Sequence, residues 1–221
     1  YQELSKKLGI KKIKRIDAFD ISHQYMQQGV GSCVVFAENG ASKKDYRLFN
    51  IPNDITGNDV ASMEHVISRR LKYYEDQKPD LILIDGGRNQ LNFTNKILKN
   101  FGMEKILVLG IAKGKGRVRA TETIYTNKGI LEIDPHSESF KLLNEARDES
   151  HRFAITASRK KIRKSNKYSA LDSVKGVGPI TKKALLKKFK SLKGIKKASK
   201  GDLMTIKNIN ETMASEIKQI L

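Results

Sequence analysis

Four consecutive apolar residues, Leu81-Ile82-Leu83-Ile84, constrain this chain more than any other feature. Pro79-Asp80 stand before the run and Asp85-Gly86-Gly87 after it, so it is too short for a helix and offers water no polar face. Such a segment reads as a strand buried on both sides, with parallel neighbours and helices above and below the sheet. The flanking sequence supplies those helices. One is expected from Asp59 to about Asp76, capped by Asn58 or Asp59, and another from Gln90 to Asn100. A second buried strand, Ile106 to Ile111, follows.

Three strands precede this core, at Ile13–Ile21, Ser32–Ala37 and Asp45–Ile51, joined by short polar connections that make them antiparallel neighbours. A hairpin across Thr121–Ile133 and a long helix from after Pro135 to about Ser158 complete the unit. Strands first, then strand and helix in alternation, predict an α/β fold: a mixed sheet with flanking helices over residues 1–158. Residues 159–168 form a basic tract, read as a linker or an extension of the helix. Beyond it, Leu171–Phe189 and Ser191–Leu221 are related segments, each a pair of short helices around a polar turn and each too small to fold alone. Paired helix-hairpin-helix units, a small all-α domain at 169–221, are the simplest account.

Charge separates the two parts. The net charge is +19, but residues 1–151 hold 24 Lys+Arg against 20 Asp+Glu, whereas residues 152–221 hold 19 against 4. So one-sided a segment repels itself unless a polyanion is near, which makes nucleic acid the leading partner and an anionic membrane surface the weaker one. No run approaches the roughly 18 apolar residues of a membrane span. The single cysteine, Cys33, sits in an apolar strand and suits a reducing cytoplasm. With no initiator Met and no signal pattern, the chain reads as a piece of something longer.

Two carboxylates attract attention. Asp20 lies near the end of the first strand and Asp85 closes the most apolar one. If those strands are parallel neighbours, both emerge at one sheet edge, where open α/β sheets place their ligands. Paired carboxylates there suit Mg²⁺ or Mn²⁺ better than zinc; the competing reading is that each caps a turn. His151, on the flank of the apolar stripe of the long helix, is either a hydrogen-bonded core residue or a metal ligand or base beside those carboxylates. His23 ranks below it, while His65 and His136 fall on an ordinary helix and a loop. The loop Lys113-Gly114-Lys115-Gly116-Arg117 is either a phosphate contact or a flexible surface, and with no GK[ST] ending it gives no support to ATP hydrolysis. Gly176-Val177-Gly178, just before a helix that carries Lys182 and Lys183, is expected to bind a phosphate through backbone amides without reading a base.

Several strings, taken together, resemble the UvrC family of bacterial nucleotide excision repair. They are Phe19-Asp20-Ile21-Ser22-His23, Ser32-Cys33-Val34-Val35-Phe36, Asp45 to Ile51, Asn58-Asp59 before Met63, Asp80 to Gly87, Gly110-Ile111-Ala112-Lys113 and Arg147 to Ile155. The resemblance implies a ribonuclease H-like nuclease domain followed by a tandem helix-hairpin-helix domain, and incision of damaged double-stranded DNA on the 5′ side of a lesion. It implies that Asp20, Asp85 and His151 form the catalytic group, that Asp59 is a further carboxylate linked to activity, and that a UvrB–DNA pre-incision complex is the partner. The family's other nuclease, cysteine-rich region and UvrB-contacting segment do not occur in this sequence, so at most one of the two incisions is expected of it. Asn208-Ile209-Asn210 stands in the second hairpin where a glycine pair is typical, and Asn tolerates left-handed backbone better than most residues. A non-catalytic DNA-binding scaffold and a resolvase- or transposase-type nuclease are the rival readings.

Overall fold

The computed structural model describes residues 1–22, 29–74, 77–112 and 122–221. They divide into two compact units, Tyr1–Ser158 and Arg159–Leu221. The first contains α1 (Gln2–Leu8), β1 (Arg15–Ser22), β2 (Val30–Ala37), β3 (Gly40–Ala41), β4 (Arg47–Asn50), α2 (Asp59–Leu71), β5 (Leu81–Asp85), α3 (Arg88–Asn100), β6 (Leu107–Ala112), β7 (Thr123–Thr126) and β8 (Gly129–Ile130). Helix α4 runs from Glu138 to Asp172, so of the two readings of the basic tract, linker or helix extension, the second holds. Neither Pro nor Gly occurs between those residues, and its many Lys and Arg are good helix formers.

The sheet order is β3-β2-β1-β5-β6-β7-β8, with β4 also paired to β2. Strands β1, β5 and β6 are mutually parallel, while β2 and β7 flank them antiparallel. The apolar run at β5 therefore lies at the centre of the sheet, buried on both faces. Its alternation divides the core: Ile82 and Ile84 pack with Met63, Val66 and Ile67 of α2 and Leu91 and Leu98 of α3. Leu81 and Leu83 turn to the other face, against Leu4 of α1 and Leu143 and Ala146 of α4.

Two close approaches fix the helices on the sheet. A Cβ on Gly31 of β2 would stand 2.3 Å from Val66 Cγ2, so α2 can lie this near only because the strand has no side chain there. The other is polar. Asp17 of β1 is fully buried and accepts from Arg70 Nη2 at 3.0 Å and Tyr74 Oη at 2.7 Å, with Arg15 Nε at 2.7 Å on its second oxygen. Helix α2 was expected to reach about Asp76 but ends at Leu71, capped by Lys72; beyond it the chain turns to bury Tyr74 on Asp17.

In the second unit, the end of α4 is followed by α5 (Pro179–Phe189), α6 (Leu192–Lys197), α7 (Lys200–Met204) and α8 (Glu211–Ile220). Leu171, Val174, Val177, Leu185, Ile195, Leu203, Ile206, Ile209, Ala214 and Ile217 form its core. Val177 and Ile209 are thus equivalent anchors, one in each hairpin. Among the described residues no helix is long and apolar enough to cross a membrane.

Candidate metal centre

The parallel register of β1 and β5 pairs Phe19 with Ile84, so the next residue of each strand is a carboxylate at the same sheet edge. Asp20 lies on the α4 side of β1, alternating with Asp17 on the other face. It is 6% exposed, whereas Asp85 is open to solvent. Helix α4 brings His151 to them, its Nδ1 3.5 Å from Asp20 Oδ2. Oxygen and nitrogen ligand atoms of Asp20, Asp85 and His151 all lie within 4.8 Å of one another, and no other such group of metal-binding side chains occurs among the described residues. At 3.5 Å the imidazole makes no full hydrogen bond, and Asp20 Oδ2 is buried without a hydrogen-bond partner among the described residues.

That burial pushes the Asp20 carboxyl above its ordinary range; His151 opposes the shift and neighbouring Asp85 adds to it. The sign has a consequence for stability. An acid whose folded-state value is raised contributes stability below its ordinary value of 3.8, and that contribution is lost as pH rises through the raised one. Burial of this carboxyl therefore makes the fold less stable at neutral pH than at low pH. Asp20→Asn is expected to raise the melting temperature in EDTA at neutral pH, with the gain vanishing near pH 3, where aspartic acid is itself neutral. Equal melting temperatures at neutral pH would show that the buried oxygen is solvated after all.

The turn that carries Asp85 is held by backbone. Gly86 N–H donates to Ile111 O at 2.9 Å, and Gly87 N–H donates to Gln90 Oε1 at 3.1 Å. A Cβ on Gly110 of β6 would lie 2.7 Å from Gly86 O, so a glycine is needed where the turn passes over the strand. Asp59 stands outside the group of three. It opens α2 and lines a small cavity of about 50 Å³ with Asn89, Gln90 and Phe93 at the start of α3. His65 Nε2 is 3.2 Å from Asn50 O, and His136 is exposed in a turn. His23, Lys113, Lys115 and Arg117 lie outside the described residues.

The hairpins of the second unit share a backbone. Gly176 and Asn208 both have positive φ, 91° and 71°. Val177 N–H donates to Val174 O and Ile209 N–H to Ile206 O, each at 3.1 Å. They differ at the helix they open. Gly178 leaves the first turn of α5 without a side-chain cap, whereas Asn210 caps α8 by accepting from Met213 N–H at 2.9 Å, with Glu211 beside it. Of the two helices, α5 alone lacks a side-chain cap among the described residues. Lys183 is exposed, whereas Lys182 is 6% exposed, lying with Thr181 and Leu185 on the buried face of α5. Val177 is also buried, so any contact there is by backbone.

The model of the UvrC RNAse H endonuclease domain matches residues 5–155. This chain belongs to the UvrC family. The model of the SAM-like helix-hairpin-helix tandem matches residues 168–221. The fold is thus a ribonuclease H-like mixed sheet with flanking helices followed by a helix-hairpin-helix tandem, as the sequence predicts. The UvrABC system protein C of Acinetobacter baumannii is 39% identical over 210 residues, covering 95% of this chain and 35% of that protein. That of Saccharophagus degradans is 40% identical over 213 residues, covering 94% and 34%. The chain spans about a third of the length of these UvrC relatives. Among solved structures, the catalytic domain of human Endonuclease V is 12% identical with a TM-score of 0.40, covering 70% of this chain and 85% of that one.

Proposed function

We propose that this chain is a divalent-metal-dependent endodeoxyribonuclease unit that makes the 5′ incision beside a lesion in nucleotide excision repair. Its substrate is damaged double-stranded DNA in a UvrB–DNA pre-incision complex, a reading supported by the relatives named UvrABC system protein C. The observation that carries it is the meeting of Asp20, Asp85 and His151 at one sheet edge within 4.8 Å. Two carboxylates and an imidazole without thiolate suit Mg²⁺ or Mn²⁺, and the buried Oδ2 of Asp20, with no hydrogen-bond partner among the described residues, fits a cation ligand. When bound, such an ion supplies charge stabilisation on the phosphate and a more acidic water.

Asp20 and Asp85 would hold the ion. His151, half-exposed at the rim, either completes the donor set or accepts a proton from the attacking water. Asp59 would act on the turn after Asp85 through the start of α3, whose Gln90 ties that turn. Residues 1–158 would form the nuclease domain. Residues 169–221 would hold the duplex without reading sequence, through the backbone of Gly176, Val177 and Gly178 and the charge of Lys183. Asn208 and Asn210 would contribute less, since Asn210 already spends its oxygen on Met213 N–H. Lys113, Lys115 and Arg117 would add phosphate contacts from the nuclease side.

The deciding experiment uses a lesion-containing duplex already nicked on the 3′ side, with damage-loading partners present, in Mg²⁺, Mn²⁺ or EDTA. A 5′ cut that disappears in EDTA is the expected result. Duplex binding with no cut in either metal would favour a scaffold, and cutting that ignores the lesion would favour a resolvase-type nuclease.

A further inference from the structure

Ser32 of β2 stands directly opposite Asp20 of β1 in the antiparallel register. Opposed residues of neighbouring strands carry their side chains on the same face, about 5 Å apart. Here it is the face that packs on α4, because Val34 and Phe36, which alternate with Ser32, lie in the core with Leu143 and Ala146. Ser32 is fully buried, and its Oγ donates to the main-chain carbonyl of Ser150 at 2.9 Å. Asp20 approaches the next residue, with Oδ2 3.5 Å from His151 Nδ1. Adjacent strands thus hold consecutive residues of one helix.

The bond to Ser150 is unusual in its place. A carbonyl in mid-helix already accepts from the amide four residues on, so the hydroxyl takes its second lone pair and closes no orphan helix end. Its effect is to fix the height and rotation of α4 above the sheet at this turn. Ser150 is itself fully buried and turns its own hydroxyl back to Arg147 O at 2.7 Å, so no bulky side chain separates the helix from the strand. Besides this bond, α4 is tied at this turn by the ion pair of Arg147 with Glu122, made by a long side chain, and by apolar contacts, which are non-directional and tolerate a small slide.

We propose that Ser32 is a positioning residue for the metal centre, setting the register of α4 on the sheet and so keeping His151 at ligand distance from Asp20. The inference rests on the reading of Asp20, Asp85 and His151 as a metal site. Outer-shell partners of metal ligands are worth about 10- to 100-fold in metal affinity.

The test is Mn²⁺ titration of the whole chain by calorimetry, beside thermal melting. Ser32→Ala is compared with Ser5→Ala, another buried serine, which donates to Tyr1 O at 2.8 Å and accepts from Ile13 N–H at 2.9 Å away from the site. Ser32→Ala should weaken Mn²⁺ binding about tenfold or more, while Ser5→Ala, with its own loss of melting temperature, keeps the affinity of the unaltered chain. Ser32→Cys, close to serine in size but a weak donor, should fold and show a smaller loss, which keeps the test available if the alanine variant does not fold. Unchanged affinity in both Ser32 variants, or an equal loss in Ser5→Ala, would overturn the positioning role. Absence of Mn²⁺ binding by the unaltered chain would instead overturn the metal reading itself, and this inference with it.

Discussion

An Asp85→Asn chain should bind duplex DNA as tightly as the unaltered protein, yet nick it at least about a thousandfold more slowly, equivalent to roughly 4 kcal/mol of lost transition-state stabilisation. The asymmetry follows from where Asp85 sits. Its side chain is exposed at the end of β5, and the turn after it is held by the Gly86–Ile111 and Gly87–Gln90 bonds rather than by the carboxylate. Asparagine keeps the shape and removes the charge, so the fold has no reason to change. The grip on DNA is assigned to the basic helical unit. Single-turnover incision rates in Mn²⁺, set beside binding by fluorescence anisotropy, would measure both. Nicking within about tenfold of the unaltered chain would sink the assignment of Asp85 as a metal ligand. A parallel fall in DNA affinity would make Asp85 a structural residue.

The largest stability effect is expected away from the site, at Asp17. Its carboxylate is fully buried and answers the Arg70 guanidinium, itself 5% exposed, the Tyr74 hydroxyl and Arg15. Asp17→Ala strands a buried positive charge and a buried hydroxyl together, which costs about 3–5 kcal/mol. For a domain of this size that lowers the melting temperature by about 10 °C or more. The triple variant Asp17→Leu/Arg70→Met/Tyr74→Phe should recover most of the loss, because replacing the buried polar partners together by apolar groups is often nearly neutral. Circular-dichroism melts decide it. A single variant that melts within about 3 °C of the unaltered chain would mean that the strand and α2 relax to let water reach Arg70.

How far the sequence could be read depended on the range of the interaction. The run at Leu81–Ile84 declared a strand buried on both faces, since Pro79 and Gly86-Gly87 leave it too short for a helix, and β5 occupies the centre of the sheet. Gly176 and Asn208 were legible as turn residues because positive φ is a property of the residue itself, and both adopt it. The end of α2 was not legible. The helix ends at Leu71, and three residues on Tyr74 gives its hydroxyl to Asp17, a partner on a strand more than fifty residues earlier that no local pattern reveals. The burial of Lys182 was not legible either: a lysine beside a hairpin reads as surface until the inward face of α5 is known.

By itself, then, the sequence determined the classes of element, the two charge regimes and the residue types with metal chemistry, because these depend on composition and on the period of apolar residues along a single element. Whether Asp20 and Asp85 would be neighbours depended on the parallel pairing of β1 with β5. Whether His151 would join them depended on how α4 is docked, to which a bond from Ser32 to Ser150 contributes over a separation of 118 residues. Strand order, helix height and the burial of one carboxylate oxygen are properties of packing between distant segments. They acquire a value only when the chain has closed around its core, and with them the geometry of the site.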